Sequence, residues 1–170
     1  MNPSVTLVLI ESRAEVTKLE LFAAEIWREH YPSIIGAAKV EYMLQKFQTT
    51  EALMAQIKEG MQLFWINDEG EHAGYAAIKR QENTYLFVSK FYIHKRFRGK
   101  GIGKSAMKWL SSKAAEMHLD GLELTVNKNN ASAISFYEAL GFENILSQKV
   151  DIGGGFYMDD YVMRLDRSIS

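Results

Sequence analysis

The chain has 170 residues, a length that fits one domain, since single domains cluster near ~100–200 residues. Its 20 Lys plus Arg against 21 Asp plus Glu give a net charge of −1, which argues against a general polyanion binder. It contains no cysteine, so disulfide scaffolds, cysteine zinc sites and thiol nucleophiles are excluded.

Val5 to Ile10 reads as a first strand. Its run Leu7-Val8-Leu9-Ile10 is far shorter than the ~18 apolar residues that span a bilayer, and it lacks the basic start of an export signal. A cytoplasmic protein with no membrane partner is the expectation. Val16 to His30 carries Leu19, Phe22, Ala23, Ile26 and Trp27 at helical spacing. Pro32 is expected to end that helix by pushing the preceding residue out of the helical region. Further helices are predicted over Ala37–Phe47 and Thr50–Lys58. Leu63–Asn67, Ala73–Arg80 and Tyr85–His94 read as strands joined by turns at Asn67-Asp68-Glu69-Gly70 and Gln81-Glu82-Asn83. Gly103–Met117 reads as a helix with Ile102, Ala106, Leu110 and Ala114 four apart. A strand at Gly121–Val126 and a helix at Ala131–Leu140 follow, the latter stopped by Gly141. Phe142–Val150 and Phe156–Leu165 close the chain as strands around Gly153-Gly154-Gly155.

This order predicts a single α/β domain of the α+β type, with one sheet flanked by helices. The hairpin-rich middle argues against a purely parallel, doubly wound sheet. The parts are helices at about 12–60, a core at about 63–142 and closing strands at 142–165.

The chemistry concentrates in His94-Lys95-Arg96-Phe97-Arg98-Gly99-Lys100-Gly101-Ile102-Gly103-Lys104-Ser105, which joins a strand to a helix. Glycines let backbone N–H groups approach a ligand, and the helix N-terminus adds free donors and a positive dipole end. The combination suits a phosphate or pyrophosphate. A Walker A motif fails because its first glycine falls on Arg98. The dinucleotide fingerprint fails because its third glycine falls on Lys104. From Asn83 to Ala115 eight basic residues (Lys90, Lys95, Arg96, Arg98, Lys100, Lys104, Lys108 and Lys113) occur with no acid. This run also reads as a solvated basic face. Few aromatics interleave with it, so a nucleic-acid partner is not expected.

Arg98-Gly99-Lys100-Gly101-Ile102-Gly103 matches the [QR]-x-x-G-x-[GA] signature of the GNAT N-acetyltransferases. Leu124, Val126, Asn130, Ala133, Tyr137, Gly141 and Phe142 match a second family pattern at the expected distance. On these motifs the chain resembles the GNAT superfamily, and within it the PaiA-like spermidine/spermine acetyltransferases. The latter likeness lies in Ile26 to Tyr31, the helix with Glu41-Tyr42-Met43-Leu44, and Met158 to Met163.

The resemblance implies acetyl-CoA as co-substrate, in a cleft between splayed central strands of a mixed, mostly antiparallel sheet. It implies a pyrophosphate on the turn Arg98, Gly99, Lys100, Gly101, Ile102, Gly103 and Lys104. The pantetheine arm would lie against Phe91, Tyr92 and Ile93, with a backbone N–H near Ile93 polarising the thioester carbonyl. Asn130 is expected beside that arm. Tyr137 reads either as a core aromatic or, by the family pattern, as the general acid that protonates the departing thiolate. For the base, the family's acidic position holds Ser89 and Lys90 here. His94 is then a candidate by location; a solvent-facing turn residue and a water relay to a distant carboxylate are equal alternatives.

For the acceptor, the resemblance implies a small cationic amine such as spermidine or spermine, with Glu29, Tyr31 and Tyr42 as contacts. Glu25, Glu41, Asp159 and Asp160 are further available acids. A protein N-terminus, a lysine or an aminoglycoside-like amine remains as an alternative acceptor. A non-catalytic acetyl-CoA sensor is another reading. A homodimer through the closing strands is implied by the family alone. His30, His72, His94 and His118 are scattered, so no metal is expected.

Overall fold

A computed structural model describes residues 4–167. Its elements are β1 (Val5–Ile10), α1 (Arg13–His30), α2 (Pro32–Ile35), α3 (Ala37–Phe47), α4 (Thr50–Lys58), β2 (Gln62–Asp68), β3 (Glu71–Lys79), β4 (Tyr85–Ile93), α5 (Ile102–Glu116), β5 (Gly121–Asn127), α6 (Ala131–Ala139), β6 (Glu143–Gly153) and β7 (Phe156–Asp166). A short 3-10 turn, Lys95–Phe97, lies between β4 and α5.

The strands form one sheet in the order β1-β2-β3-β4-β5-β7-β6. Every neighbouring pair is antiparallel except β4 with β5. The expected mixed, mostly antiparallel sheet is therefore present. Each face carries its own core. On one face Leu86, Leu122 and Leu124 pack with Ala106 and Leu110 of α5 and Tyr137 of α6. On the other, Leu63 and Tyr75 pack with Leu19, Ala23 and Trp27 of α1 and Leu53 of α4. The helical spacing of those α1 residues is what puts them on one stripe.

Polar atoms inside the second core are satisfied in a chain of hydrogen bonds. Trp27 donates from Nε1 to the Tyr75 hydroxyl at 3.0 Å, and that hydroxyl donates to Gln48 at 3.2 Å. Burying these groups without partners would cost ~1–3 kcal/mol each. The bonds fix Trp27 at the end of α1 nearest the sheet.

Pro32 acts differently from its sequence expectation. The helix does end at His30, but Tyr31 stays in the right-handed helical region at φ −88, ψ −23, and Pro32 opens the short helix α2. A proline at the first helical position gives up only an N–H that would have no helical partner.

Two irregularities open the sheet. Beyond Phe87 and Glu123, β4 and β5 no longer pair; their ladder is limited to Tyr85–Phe87 against Gly121–Glu123. In β4 a bulge at Ser89 shifts the register, since Ala77 faces Lys90 while Ile78 faces Val88. A bulge adds one residue and reverses the faces beyond it. Leu86 and Val88 face the α5 side before it, and Phe91 and Ile93 face that side after it, while Tyr92 joins the α1 core. Lys90 shares the phase of Tyr92. It is 5% exposed, and burial lowers its pKa to about 8. It therefore contributes nothing to a basic surface, contrary to its place in the sequence run.

Candidate active site

Where β4 and β5 separate, two cavities meet. The larger, about 480 Å³, lies between β4, the turn before α5 and the face of α6. The smaller, about 110 Å³, passes between β4 and β5 toward α1, α3 and β7. Tyr31, Phe91, Tyr92, Asn130 and Tyr137 line both.

The larger cavity is built around the glycine turn. Gly99 and Gly101 both sit at φ +78, a left-handed conformation that a side chain strains. Gly101 is the N-cap of α5, and no side chain caps that helix. Its first-turn N–H groups thus face the cavity without an intrahelical partner. Arg98, Gly99, Gly101, Ile102, Gly103 and Lys104 line the cavity. Lys100 does not; its ammonium lies over the Phe97 ring, 5.6 Å from the centroid.

Strand β4 offers the cavity an open edge. The His94 N–H bonds to Ala73 O at 2.8 Å toward β3. Antiparallel alternation then turns the Tyr92 and Lys90 backbone groups toward β3 and those of Phe91 and Ile93 toward the opening. With β5 gone from that side, these groups have no strand partner there. Arg98 Nε donates to Ile93 O at 3.0 Å, and its guanidinium pairs with Glu29 at 3.0 Å. These contacts tie the glycine turn to both β4 and α1.

Asn130 is 3% exposed and caps α6. Its Oδ1 accepts from Ala133 N at 3.4 Å and lies 3.3 Å from His30 Nε2, while its Nδ2 donates to the Tyr31 hydroxyl at 3.5 Å. It therefore clamps the end of α1 to the start of α6 at the seam of the cavities.

Tyr137 is 7% exposed, and its hydroxyl makes no hydrogen bond among the described residues. Burial, with the nearby Tyr31, holds its pKa well above that of an ordinary phenol. Tyr31 is pushed up to about 12, chiefly by burial. Both remain neutral donors across the physiological range.

The smaller cavity has aromatic walls at Trp27, Tyr31 and Tyr92 and one acid, Asp160 of β7. Asp160 is 4% exposed and accepts no hydrogen bond from a side chain among the described residues. Burial raises its pKa to about 6, and attraction to Lys39 offsets part of that rise. In the sequence Asp160 is one of several available acids and not among the preferred contacts. Its strand gives the signal: Met158, Asp160 and Val162 share one phase of β7, so a charge stands in a buried row.

Other expected contacts lie elsewhere. His94 lines neither cavity. Its Nδ1 accepts from the Arg96 N–H at 3.1 Å, which leaves Nε2 to donate to Glu25 at 3.0 Å. Glu29 lines neither cavity and is held by Arg98. Tyr42 packs under the Gly153-Gly154 turn and donates its hydroxyl to Ile152 O at 2.6 Å. Of the three acceptor contacts expected, Tyr31 alone reaches the seam. No group of three or more potential metal ligands occurs among the described residues.

Known proteins share this fold. The crystal structure of PaiA N-acetyltransferase from Thermoplasma acidophilum in complex with coenzyme A superposes with a TM-score of 0.79 at 18% identity, covering 96% of this chain and 99% of that one. A Bacillus subtilis spermine/spermidine N(1)-acetyltransferase is 30% identical over 83 residues, 44% of this chain and 55% of the relative. The uncharacterized N-acetyltransferase YdgE of the same organism is 31% identical over 84 residues, 46% of this chain and 54% of the relative. The chain spans about half the length of these curated relatives. A model described as the acetyltransferase (GNAT) family matches residues 22–142, and the chain belongs to that family.

Proposed function

We propose that the chain transfers the acetyl group of acetyl-CoA to a small primary amine by direct attack. The observation that carries this reading is Tyr137, a buried residue whose hydroxyl makes no hydrogen bond among the described residues, at the seam between a glycine-lined cleft and a chamber holding a buried carboxylate.

The larger cavity fits the donor. The uncapped α5 N-terminus, with Arg98 and Lys104 beside it, suits a pyrophosphate. The open backbone of Phe91 and the N–H of Ile93 suit a pantetheine amide chain, which would extend the sheet as an added strand, while the Ile93 carbonyl is held by Arg98. The Ile93 N–H then stands where it can donate to a thioester carbonyl oxygen.

The acceptor amine sits in the smaller chamber. Asp160 takes the proton that the amine must lose, directly or through one water. The amine nitrogen bonds to the acetyl carbon, the carbon–sulfur bond breaks, and the sulfur leaves with its electron pair. Tyr137 donates a hydrogen bond to that sulfur. A thiol has a reference pKa of ~8.5, below that of this buried phenol, so the proton is shared rather than fully transferred while charge develops. His94, turned to Glu25, has no part in this reading.

Spermidine and spermine are the acceptors supported by the name of one relative. The walls Trp27, Tyr31 and Tyr92 suit an ammonium through cation–π contact. The homodimer implied by the resemblance has an exposed edge strand available in β6. The test is thiol release from acetyl-CoA with spermidine, spermine, putrescine, an N-terminal peptide, a lysine peptide and an aminoglycoside. Amine-dependent release supports transfer; tight acetyl-CoA binding with no release from any amine favours the sensor reading.

A further inference from the structure

We infer that Lys39 selects the acceptor, and that the chamber takes an amine that also carries an anionic group in preference to a polycation. The inference rests on the transfer reaction proposed above and sets its acceptor apart from the polyamines named for one relative.

Among the residues lining the smaller chamber, Asp160 is the one acid and Lys39 of α3 the one base. They stand on different elements, and no salt bridge joins them among the described residues. Neither forms an ion pair with any other side chain among the described residues. The adjacent Asp159 is engaged by Lys128 at 3.0 Å. The chamber therefore holds one unpaired charge of each sign. A ligand that satisfies both carries an ammonium toward Asp160 and an anion toward Lys39.

A polyamine with one ammonium at Asp160 brings a second ammonium past the same lining residues. No further acid lines the chamber to receive that charge. Lys39, half-buried, instead repels it. An amino carboxylate meets the same lysine as a partner.

The experiment is a matched series at pH 8 with saturating acetyl-CoA: 4-aminobutyrate, butylamine and putrescine, which differ only in the far end of one chain. Wild type should give a kcat/KM for aminobutyrate at least tenfold above that for putrescine, with butylamine between. K39E should reverse that order, and K39M should compress it to within a few-fold. Circular dichroism confirms that both variants are folded. If putrescine or spermidine is the best substrate of wild type, or if K39E leaves the order intact, Lys39 does not select and the inference is overturned while the transferase reading stands. If no amine releases thiol although acetyl-CoA binds, the transferase reading fails and takes this inference with it.

Discussion

Asn130 donates a hydrogen bond to the Tyr31 hydroxyl at 3.5 Å, across 99 positions of sequence. The bond joins the start of α6 to the end of α1 where the two cavities meet, beside Tyr137. Donor cleft and acceptor chamber are thus held in one frame by side chains from opposite faces of the sheet. Single substitutions separate what each side does.

Tyr137→Phe removes one hydroxyl from the seam and keeps the ring in its core. A positioned donor to developing charge contributes ~10²–10³ in rate. We expect kcat to fall by about that factor while the acetyl-CoA KM changes less than threefold. Steady-state kinetics with acetyl-CoA varied at saturating amine provides the check, and an unchanged kcat removes Tyr137 from the reaction.

Asp160→Asn should cost activity and raise stability. With Asp160 ionising at about 6, wild-type kcat/KM should fall below about pH 6, and the variant should lose both that limb and at least ~10² of the rate. The stability effect has a definite sign. The folded state holds this proton more tightly than the unfolded chain, so ionising Asp160 destabilises the fold as pH rises from about 4 to about 6. The penalty is fully present above that, and is on the order of 2–3 kcal/mol. The variant should melt several degrees higher at pH 7.5 and near wild type at pH 4, as differential scanning fluorimetry would show.

Gly101→Ala places a methyl group on a left-handed residue at φ +78, a strain of ~1–2 kcal/mol. The methyl has open space around it, so the damage should fall on the conformation of the turn. Calorimetry should show coenzyme A affinity weakened about tenfold or more, with the amine KM little changed. Equal loss for donor and acceptor would mean that the turn serves both cavities.

Lys90→Met tests the buried lysine beside the bulge. Lys90 has no hydrogen bond from its side chain among the described residues, and its pKa is lowered to about 8 by burial. Charged in a folded state that disfavours the charge, it destabilises the protein below about pH 8. That penalty is relieved as pH rises from about 8 toward 10.5. Met at this position should raise the melting temperature at pH 7, and the advantage should shrink toward pH 10. A variant less stable at pH 7 would show that the ammonium has a favourable contact.

Much of the donor side was readable in the chain. The strand, glycine turn and helix around Arg98 to Gly103 announce themselves because each glycine has a geometric task there. The acceptor side was harder, for reasons visible in particular residues. The Ser89 bulge reverses the faces of β4, so Lys90 drops out of the basic run and Tyr92 joins the α1 core. His94 follows the binding strand in sequence, yet its ring caps the turn Lys95–Phe97 and leans on Glu25. Tyr42 and Glu29 are spent on Ile152 and Arg98. Asp160 was legible from the phase of β7, but several acids and aromatics competed for the role. Lys39 gives no local signal, because only the packing of α3 over the gap between β4 and β5 brings it to the chamber of Asp160.

The most direct measurement is amine-dependent thiol release by wild type and Tyr137→Phe, with the product identified by mass spectrometry. Direct transfer assisted by Tyr137 predicts an N-acetylated amine formed in step with free coenzyme A, and a rate at least ~10² lower in the variant. Release of coenzyme A without an acetylated amine, or equal rates in the two proteins, would contradict it.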